Sequence, residues 1–340
     1  MYKTITALLT LLLFAFQGMQ AQTNDFYDDA ETVKLNIPTV NVLGEVASPA
    51  KVDLSALPLR SVIVKETLLK DGEDKFVGAY RYDGYSLYDI LNNIVLKKKN
   101  EAEFQPIIDL YVEIENELGE KAVFSWGEIY YPIHRHEIII ATQVARIVPS
   151  KTKDLWPVPT SSKLVVAADL LTHRNISNPT RITIRSYDGK YTIVKGMEPM
   201  YSPSFSIMDK ETKLGDVAAL PTELPILVYP SVFYGRGRGI HGTTPFKGAE
   251  LKDVLAKYLT INESNLKTSL LMIAGKDGYH AAFSLSEVMN RNDQTEFLLT
   301  PQEKDSDGGA FQVFPAADFF SDRAIKSVES IRIVNMANPK

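Results

Sequence analysis

Four sequence motifs from the first half of this 340-residue chain return in the same order in its second half, and this repeat constrains the fold most strongly. The matched segments are residues 53–58 and 216–221, 84–91 and 248–255, 124–128 and 283–287, and 167–171 and 316–320. Arg174 then matches Arg323, and the four offsets are 163, 164, 159 and 149 residues. Solenoid repeats have periods of about 20–50 residues. We therefore interpret this longer repeat as a tandem duplication of a whole domain.

The N-terminus has the pattern of a secretion signal. Lys3 precedes an apolar stretch over residues 5–16, and small residues then lead to an expected cleavage site after Ala21. This stretch of 12 residues is too short for a membrane span, which needs about 20. The sequence therefore predicts a periplasmic or secreted protein with a cleavable signal peptide and no membrane span.

Composition narrows the classes of function. The chain contains no cysteine, which excludes disulfides, thiolate metal sites and thiol nucleophiles. Cleavage after Ala21 removes one of 37 basic residues, so the mature chain has 36 basic and 42 acidic residues and a net charge of -6. An acidic balance argues against general binding to nucleic acid or to anionic membranes.

Each half combines strand patterns with short helical patterns. Apolar residues recur at helical spacing over residues 86–96. Turn residues separate apolar runs at Gly119 and again at Gly278, which predicts a hairpin in each half. A further hairpin is predicted over residues 187–194, around Asp188 and Gly189.

These patterns predict the α+β class, with two tandem mainly-β domains that contain short helices. The expected division is a signal peptide over residues 1–21, a first domain over 22–190, a linker over 191–202 and a second domain over 203–340.

Several motifs occur in the order typical of a known family. They are G-E-V-A-S-P at 44–49, the glycine-initiated helix at 84–91 and 248–255, the hairpin at 277–287 and the terminal segment at 323–333. On these motifs, each copy resembles the molybdopterin-binding domain of the sulfite oxidase type. The resemblance implies that family's fold in each half and a cofactor-facing loop near residues 229–238.

The departures from that family concern its chemistry. The family binds molybdenum through a cysteine, whereas the matching segments 65–71 and 229–238 contain none. Its basic approach to the cofactor is also missing at residues 159–164, and the signal lacks the arginine pair used to export folded, cofactor-loaded proteins. We therefore expect a molybdopterin-domain-like scaffold without molybdenum cofactor and without sulfite oxidation.

Two histidines form a candidate metal site. His134 and His136 flank Arg135, and on an extended segment residues two apart point to the same side. Imidazole pairs bind Zn, Cu or Ni, and Glu137 or Glu128 is a candidate neighbouring carboxylate. The alternative is a polar loop before the apolar strand at 138–140.

Alternating glycine and arginine residues form a candidate ligand site over residues 234–242. Glycine lets the backbone approach a ligand, and two guanidinium groups attract phosphate, sulfate or carboxylate. The predicted ligand-binding residues are Tyr234, Arg236, Arg238 and His241. The alternative is a surface loop whose glycines serve only its turns.

No catalytic motif was found, so no catalytic residue is predicted. The leading hypothesis is an exported non-catalytic protein that binds an anionic small molecule or cofactor. Its alternative is a periplasmic oxidoreductase that depends on a His-ligated metal or on a cofactor. A third hypothesis is an interaction module with a cell-surface or periplasmic protein partner.

Overall fold

The computed structural model describes residues 31–302 and 308–337, so the predicted signal peptide lies outside the described residues. The chain is mostly β, with 43% of residues in strands and 12% in helices. Four small sheets are arranged like the blades of a four-bladed β-propeller. Within the described residues, no helix is long and apolar enough to cross a membrane.

The N-terminal half supplies two of these sheets. Its strands are Val33–Lys34 (β1), Val40–Gly44 (β2), Ala50–Val52 (β3), Arg60–Lys70 (β4), Glu73–Ser86 (β5), Leu110–Asn116 (β6), Lys121–Ser125 (β7), Ile138–Arg146 (β8), Lys163–Val166 (β9) and Pro179–Ser186 (β10). One sheet has the order β1-β8-β5-β4, with β9 also paired to β8. The other has the order β3-β2-β10-β6-β7.

The C-terminal half supplies the other two sheets and a two-stranded ribbon. Its strands are Phe205–Asp209 (β11), Thr212–Val217 (β12), Leu227–Tyr229 (β13), Phe233–Gly235 (β14), Gly239–Gly242 (β15), Phe246–Glu250 (β16), Ser269–Gly275 (β17), His280–Ser284 (β18), Phe297–Pro301 (β19), Phe311–Pro315 (β20) and Val328–Asn335 (β21). The sheet orders are β12-β11-β21-β17-β18 and β13-β16-β19-β20, and the ribbon is β14-β15.

The two halves use the same pairing scheme. In each, an early strand pairs in parallel with the last strand, β2 with β10 and β11 with β21. That last strand then pairs antiparallel with a hairpin, β6-β7 in one half and β17-β18 in the other. These two hairpins were predicted from their turn residues, and both are confirmed.

The α-helices of the described chain are short. They are Leu87–Leu91 (α1), Trp126–Tyr130 (α2), Leu251–Leu255 (α3), Glu263–Thr268 (α4) and Leu285–Met289 (α5). Ser125 caps α2 and Ser284 caps α5, each by accepting a hydrogen bond from the third backbone amide of its helix. Each helix buries one apolar face against a sheet, as Leu87, Ile90 and Leu91 do in α1.

The halves differ most in one hairpin. In the N-terminal half β4 and β5 form one long hairpin of 11 and 14 residues. In the C-terminal half Pro230 and Pro245 interrupt the matching region, and the β14-β15 ribbon forms between them. Proline cannot donate a ladder hydrogen bond, so the long hairpin cannot continue through these positions.

The hydrophobic core crosses the boundary between the halves. Phe104, Ile108 and Tyr131 belong to the same buried cluster as Phe205 and Phe283. A smaller cluster joins Tyr111 and Val123 to Leu270.

The predicted fold class is wrong. The structure is a mostly β chain of four small propeller-like sheets, not an α+β fold of two sulfite-oxidase-like domains. The helical pattern over residues 86–96 misled the prediction, because only Leu87–Leu91 is helical and Leu96 instead forms a bridge with Val46. The hairpin predicted over residues 187–194 is also wrong, since this segment contains no strand.

Candidate functional site

The two halves meet through main-chain contacts that occur twice with exchanged roles. Three main-chain contacts between a residue of the first half and one of the second each have a counterpart at the repeat-equivalent positions. The first pair consists of the β-bridges Pro132–Asp318 and Asp169–Arg291. The second consists of the hydrogen bonds from Ile133 N to Ala317 O and from Asn292 N to Ala168 O. The third consists of the hydrogen bonds from Phe319 N to Tyr131 O and from Leu170 N to Asn290 O. The junction therefore has a local twofold pseudosymmetry.

Arg174 lies fully buried at this junction. Its guanidinium donates to Asp169 at 2.6 and 2.8 Å and to Glu128 at 2.6 and 2.9 Å. It also donates to Ser284 Oγ of the other half at 3.1 Å, and it stands 4.4 Å from the Phe124 ring centre.

Arg323 repeats this arrangement in the second half. It donates to Asp318 at 2.7 and 2.8 Å and to Glu287 at 3.2 Å, and it reaches across to Ser125 Oγ at 3.1 Å. Ser125 in turn donates to Glu287 at 2.6 Å, and Ser284 donates to Glu128 at 2.8 Å. The repeated sequence motifs thus supply the contacts that join the two halves. Their buried arginines and carboxylates form ion pairs with one another.

Burial perturbs the carboxyl groups of this network. Desolvation raises the pKa of Asp169 and of Asp318, although the neighbouring arginines oppose the shift. Desolvation, aided by repulsion from Glu128, raises the pKa of Glu287 to about 7 against the pull of Arg323. Four carboxyl groups share two guanidinium groups, so retaining a proton on Glu287 relieves repulsion.

A cleft of about 130 Å³ opens between two equivalent turns of the halves, which we call the junction cleft. One turn comprises residues 132–138 and the other residues 291–295. Its polar lining residues are Glu128, His134, Arg135, Glu137, Arg291, Asp293 and Thr295, and its apolar ones are Pro132, Ile133, Ile138, Ala168, Ala316 and Ala317. A groove of about 480 Å³ adjoins it on the other side of the first turn, near Ser61 and Ile63.

The predicted metal-site histidines lie on this first turn. The segment is a turn instead of the extended strand that the metal prediction assumed. His136 Nδ1 is 3.0 Å from Ser86 Oγ and 3.6 Å from Asp89 Oδ2, and its ring packs edge-on against Tyr88. His134 is exposed and lines both the cleft and the groove. Within the described part of the chain, no three His, Asp or Glu side chains are grouped closely enough to hold a metal ion.

His136 is biased toward its neutral form. Desolvation lowers its pKa, and the charges of Arg60 and Arg135 act in the same direction while Asp89 opposes them. A neutral imidazole is the form that binds a metal, but Ser86 already occupies Nδ1.

Glu137, which the sequence suggested only as a candidate neighbour of the histidine pair, lines the cleft. It is half-buried, and desolvation together with repulsion from Asp293 raises its pKa, while His134 and Arg291 oppose the shift. Across residues 31–302 and 308–337, no hydrogen bond or ion pair engages its carboxylate. Arg291, by contrast, is neutralised by Asp293, to which its Nε donates at 2.8 Å.

The Gly-Arg segment forms the β14-β15 ribbon. Tyr234 is paired with Ile240 across the two strands, so both side chains lie on one face, where Tyr234 packs 5.7 Å from the Phe319 ring. His241 lies on the opposite face beside Phe233, at 5.5 Å between ring centres. The ribbon therefore separates His241 from Tyr234.

The two arginines stand at the turn of the ribbon. Arg236 is about half exposed, and its Nε lies 3.6 Å from Asp322 Oδ2. Arg238 is exposed and has no ion-pair partner among the described residues. Beneath the ribbon, the cavity bounded by Phe233, Phe314 and Phe319 measures only about 10 Å³, so a ligand there would bind on the surface.

Part of this site is readable from the sequence and part is not. The composition of residues 234–242 and the two histidines mark their segments directly. The importance of Glu137 emerges only by comparison with Glu296, the residue at the equivalent position of the second half. The register shows the equivalence, because Ser86 pairs with Ile139 and Glu250 pairs with Leu298.

No family model, curated protein or solved structure gave a significant match to this chain. No family membership is therefore assigned.

Proposed function

We propose that this chain is an exported, non-catalytic binding protein that holds an anionic, ring-bearing small molecule on the β14-β15 ribbon. The observation that carries the proposal is a guanidinium at Arg238 that has no ion-pair partner in the described chain, on a ribbon that also presents an exposed aromatic pair, Tyr234 with the neighbouring Phe319. Tyr234 is 39% exposed and Phe319 is 53% exposed.

The ribbon offers two complementary contacts. A guanidinium forms charge-assisted hydrogen bonds with phosphate, sulfate or carboxylate. Aromatic faces provide a large contact area for a planar ring. A ligand with an anionic group and a planar ring gains binding free energy from both contacts, whereas inorganic phosphate gains it only from the contact with the guanidinium.

The ribbon is held by apolar packing on its other face. Phe233 packs against Phe246 at 5.2 Å and Phe314 at 6.5 Å between ring centres. A preformed surface loses less conformational entropy on binding. Arg236 would take the secondary role, because Asp322 already competes for its charge.

The test compares phenyl phosphate, inorganic phosphate and phenol as probes, by calorimetric titration of the mature protein. We expect the affinity order phenyl phosphate, then inorganic phosphate, then phenol. Arg236→Ala/Arg238→Ala should weaken phenyl phosphate binding at least tenfold, since charge-assisted hydrogen bonds contribute about 1.5–3 kcal/mol each. Tyr234→Ala should lower the affinity for phenyl phosphate while leaving that for inorganic phosphate nearly unchanged.

The matched control is Lys51→Ala/Lys65→Ala, which removes two exposed positive charges elsewhere. If this control weakens phenyl phosphate binding as much as the arginine variant does, the effect comes from the net charge of the protein and not from the ribbon. Wild-type affinity in the arginine variant would reduce the ribbon to a surface turn.

A further inference from the structure

The junction cleft contains one carboxylate whose counterpart in the second half binds an ammonium group. Glu137 begins the segment that leads into β8, and Glu296 occupies the same position before β19. Glu296 accepts a hydrogen bond from Lys252 Nζ at 2.6 Å, and Lys252 also lies 3.0 Å from Glu250.

The position equivalent to Lys252 is Tyr88, because α1 and α3 occupy matching places after the paired glycines Gly84 and Gly248. Tyr88 cannot supply a positive charge. Its hydroxyl accepts a hydrogen bond from Arg135 at 2.8 Å, and its ring packs against Tyr130. Within residues 31–302 and 308–337, Glu137 therefore lacks the cation that its counterpart has.

The other charged groups of the cleft form no ion pair with Glu137 among the described residues. His134 and Arg291 act on it only through the field of their charges. Arg291 is bound to Asp293 by two contacts and also donates to the main chain of Glu287. Glu128 is held by Arg174 and Ser284. Glu137 is therefore the lining carboxylate without a partner in the described chain, and leaving such a group half-buried is unfavourable.

The shape of the cleft limits the size of what could bind. An engineered protein cavity of about 150 Å³ holds a benzene molecule, and this cleft measures about 130 Å³. Its apolar walls, which include Pro132, Ile138 and Ala317, suit a short hydrocarbon. The adjoining groove leaves space for a longer tail.

We propose that the junction cleft is a binding site for a small primary amine, whose ammonium group pairs with Glu137 as Lys252 pairs with Glu296. The alkyl part of the ligand lies against the apolar walls. This site is separate from the ribbon and does not depend on the function proposed for it.

The test uses n-butylammonium as the probe, with n-butanol and butyrate as its neutral and anionic counterparts, in NMR titrations of the mature protein. We expect butylammonium to bind with a Kd of about 1 mM, as suits a ligand of this size, and the other two at least tenfold more weakly. Glu137→Gln should weaken butylammonium binding at least tenfold. Glu103→Gln, which removes an exposed carboxylate, should leave it unchanged.

A second variant tests the internal analogy. Tyr88→Lys should place an ammonium group beside Glu137 and abolish butylammonium binding by competition. Tyr88→Met, which also removes the ring but adds no charge, should retain binding. Equal binding of butanol and butylammonium, no binding of either, or full affinity in Glu137→Gln would each overturn the proposal.

Discussion

Glu287 shows how a single buried residue couples the two halves. It accepts hydrogen bonds from Ser125 of the first half and from Arg323 of its own half, and its side chain is almost completely buried. Burial and the nearby Glu128 favour its protonated form. The titration of Glu287 should therefore make the free energy of unfolding depend on pH.

We predict that the contribution of Glu287 to stability decreases as the pH rises from about 4.5 to about 7, and then levels off. The folded pKa of Glu287 lies above its ordinary value of 4.5, at about 7, so the folded state holds the proton more tightly than the unfolded state does. The stabilisation from the protonated Glu287 is fully present below the pKa that this residue has in the unfolded state. It is lost, at about 1.4 kcal/mol per pH unit, as the pH rises through the pKa of the folded state.

Urea unfolding across this pH range measures the effect. Glu287→Gln should remove this contribution, so that the free energy of unfolding falls less, or rises more, between pH 4.5 and 7 than in the wild type, whatever the effect of the substitution at a single pH. Glu103→Gln is the control for loss of an exposed carboxylate. A slope that is the same in wild type and Glu287→Gln would show that Glu287 does not titrate in this window.

At the scale of the elements, the repeated glycines before α1 and α3 have a common structural reason. A Cβ atom on Gly84 would lie 2.2 Å from the carbonyl oxygen of Ile140, and one on Gly248 would lie 2.3 Å from that of Leu299. Each glycine thus permits close pairing of the strand before the helix, β5 with β8 and β16 with β19.

We predict that Gly84→Ala and Gly248→Ala each destabilise the protein by about 1–3 kcal/mol, as overpacking of a well-packed site does. The clash is with a backbone atom, so a side-chain rotation cannot relieve it. Gly237→Ala is the control, because its Cβ would meet no atom within 4 Å. Thermal unfolding of the three variants measures the difference, and equal melting temperatures for all three would contradict this explanation.

At the scale of the whole molecule, the buried network makes the halves depend on each other. Arg174 and Arg323 each contact a serine that caps a helix in the opposite half. The shared core around Phe104, Tyr131 and Phe283 reinforces this dependence. A destabilising substitution in one half should therefore also destabilise the other half.

We predict that Arg323→Ala lowers the free energy of unfolding by about 3–5 kcal/mol, because it leaves buried carboxylates unpaired. Both tryptophans, Trp126 and Trp156, lie in the N-terminal half. Their fluorescence should nevertheless report a single transition that shifts to lower urea. A tryptophan transition that is unchanged in Arg323→Ala would show that the halves unfold independently.

The sequence by itself determined the local features of this protein. Turn residues at Gly119 and Gly278 predicted the two hairpins, and the repeated motifs identified Ser125, Glu128 and Arg174 with their counterparts as equivalent positions. The alternation of glycine and arginine marked residues 234–242 as unusual, but it predicted a loop and not the two-stranded ribbon. These features were readable because turns and caps depend on residues within a few positions of one another.

Only the tertiary structure decided the length of the helices, the arrangement of the sheets and the pairing across the junction. Periodicity over residues 86–96 predicts a longer helix than α1, which ends at Leu91. The hydrogen bond between Arg174 and Ser284 joins residues 110 positions apart. The contrast between Glu137 and Glu296 became visible only once the strand register had shown which residues of the two halves are equivalent. Local sequence patterns cannot specify such partners, because they arise from packing between distant segments of the chain.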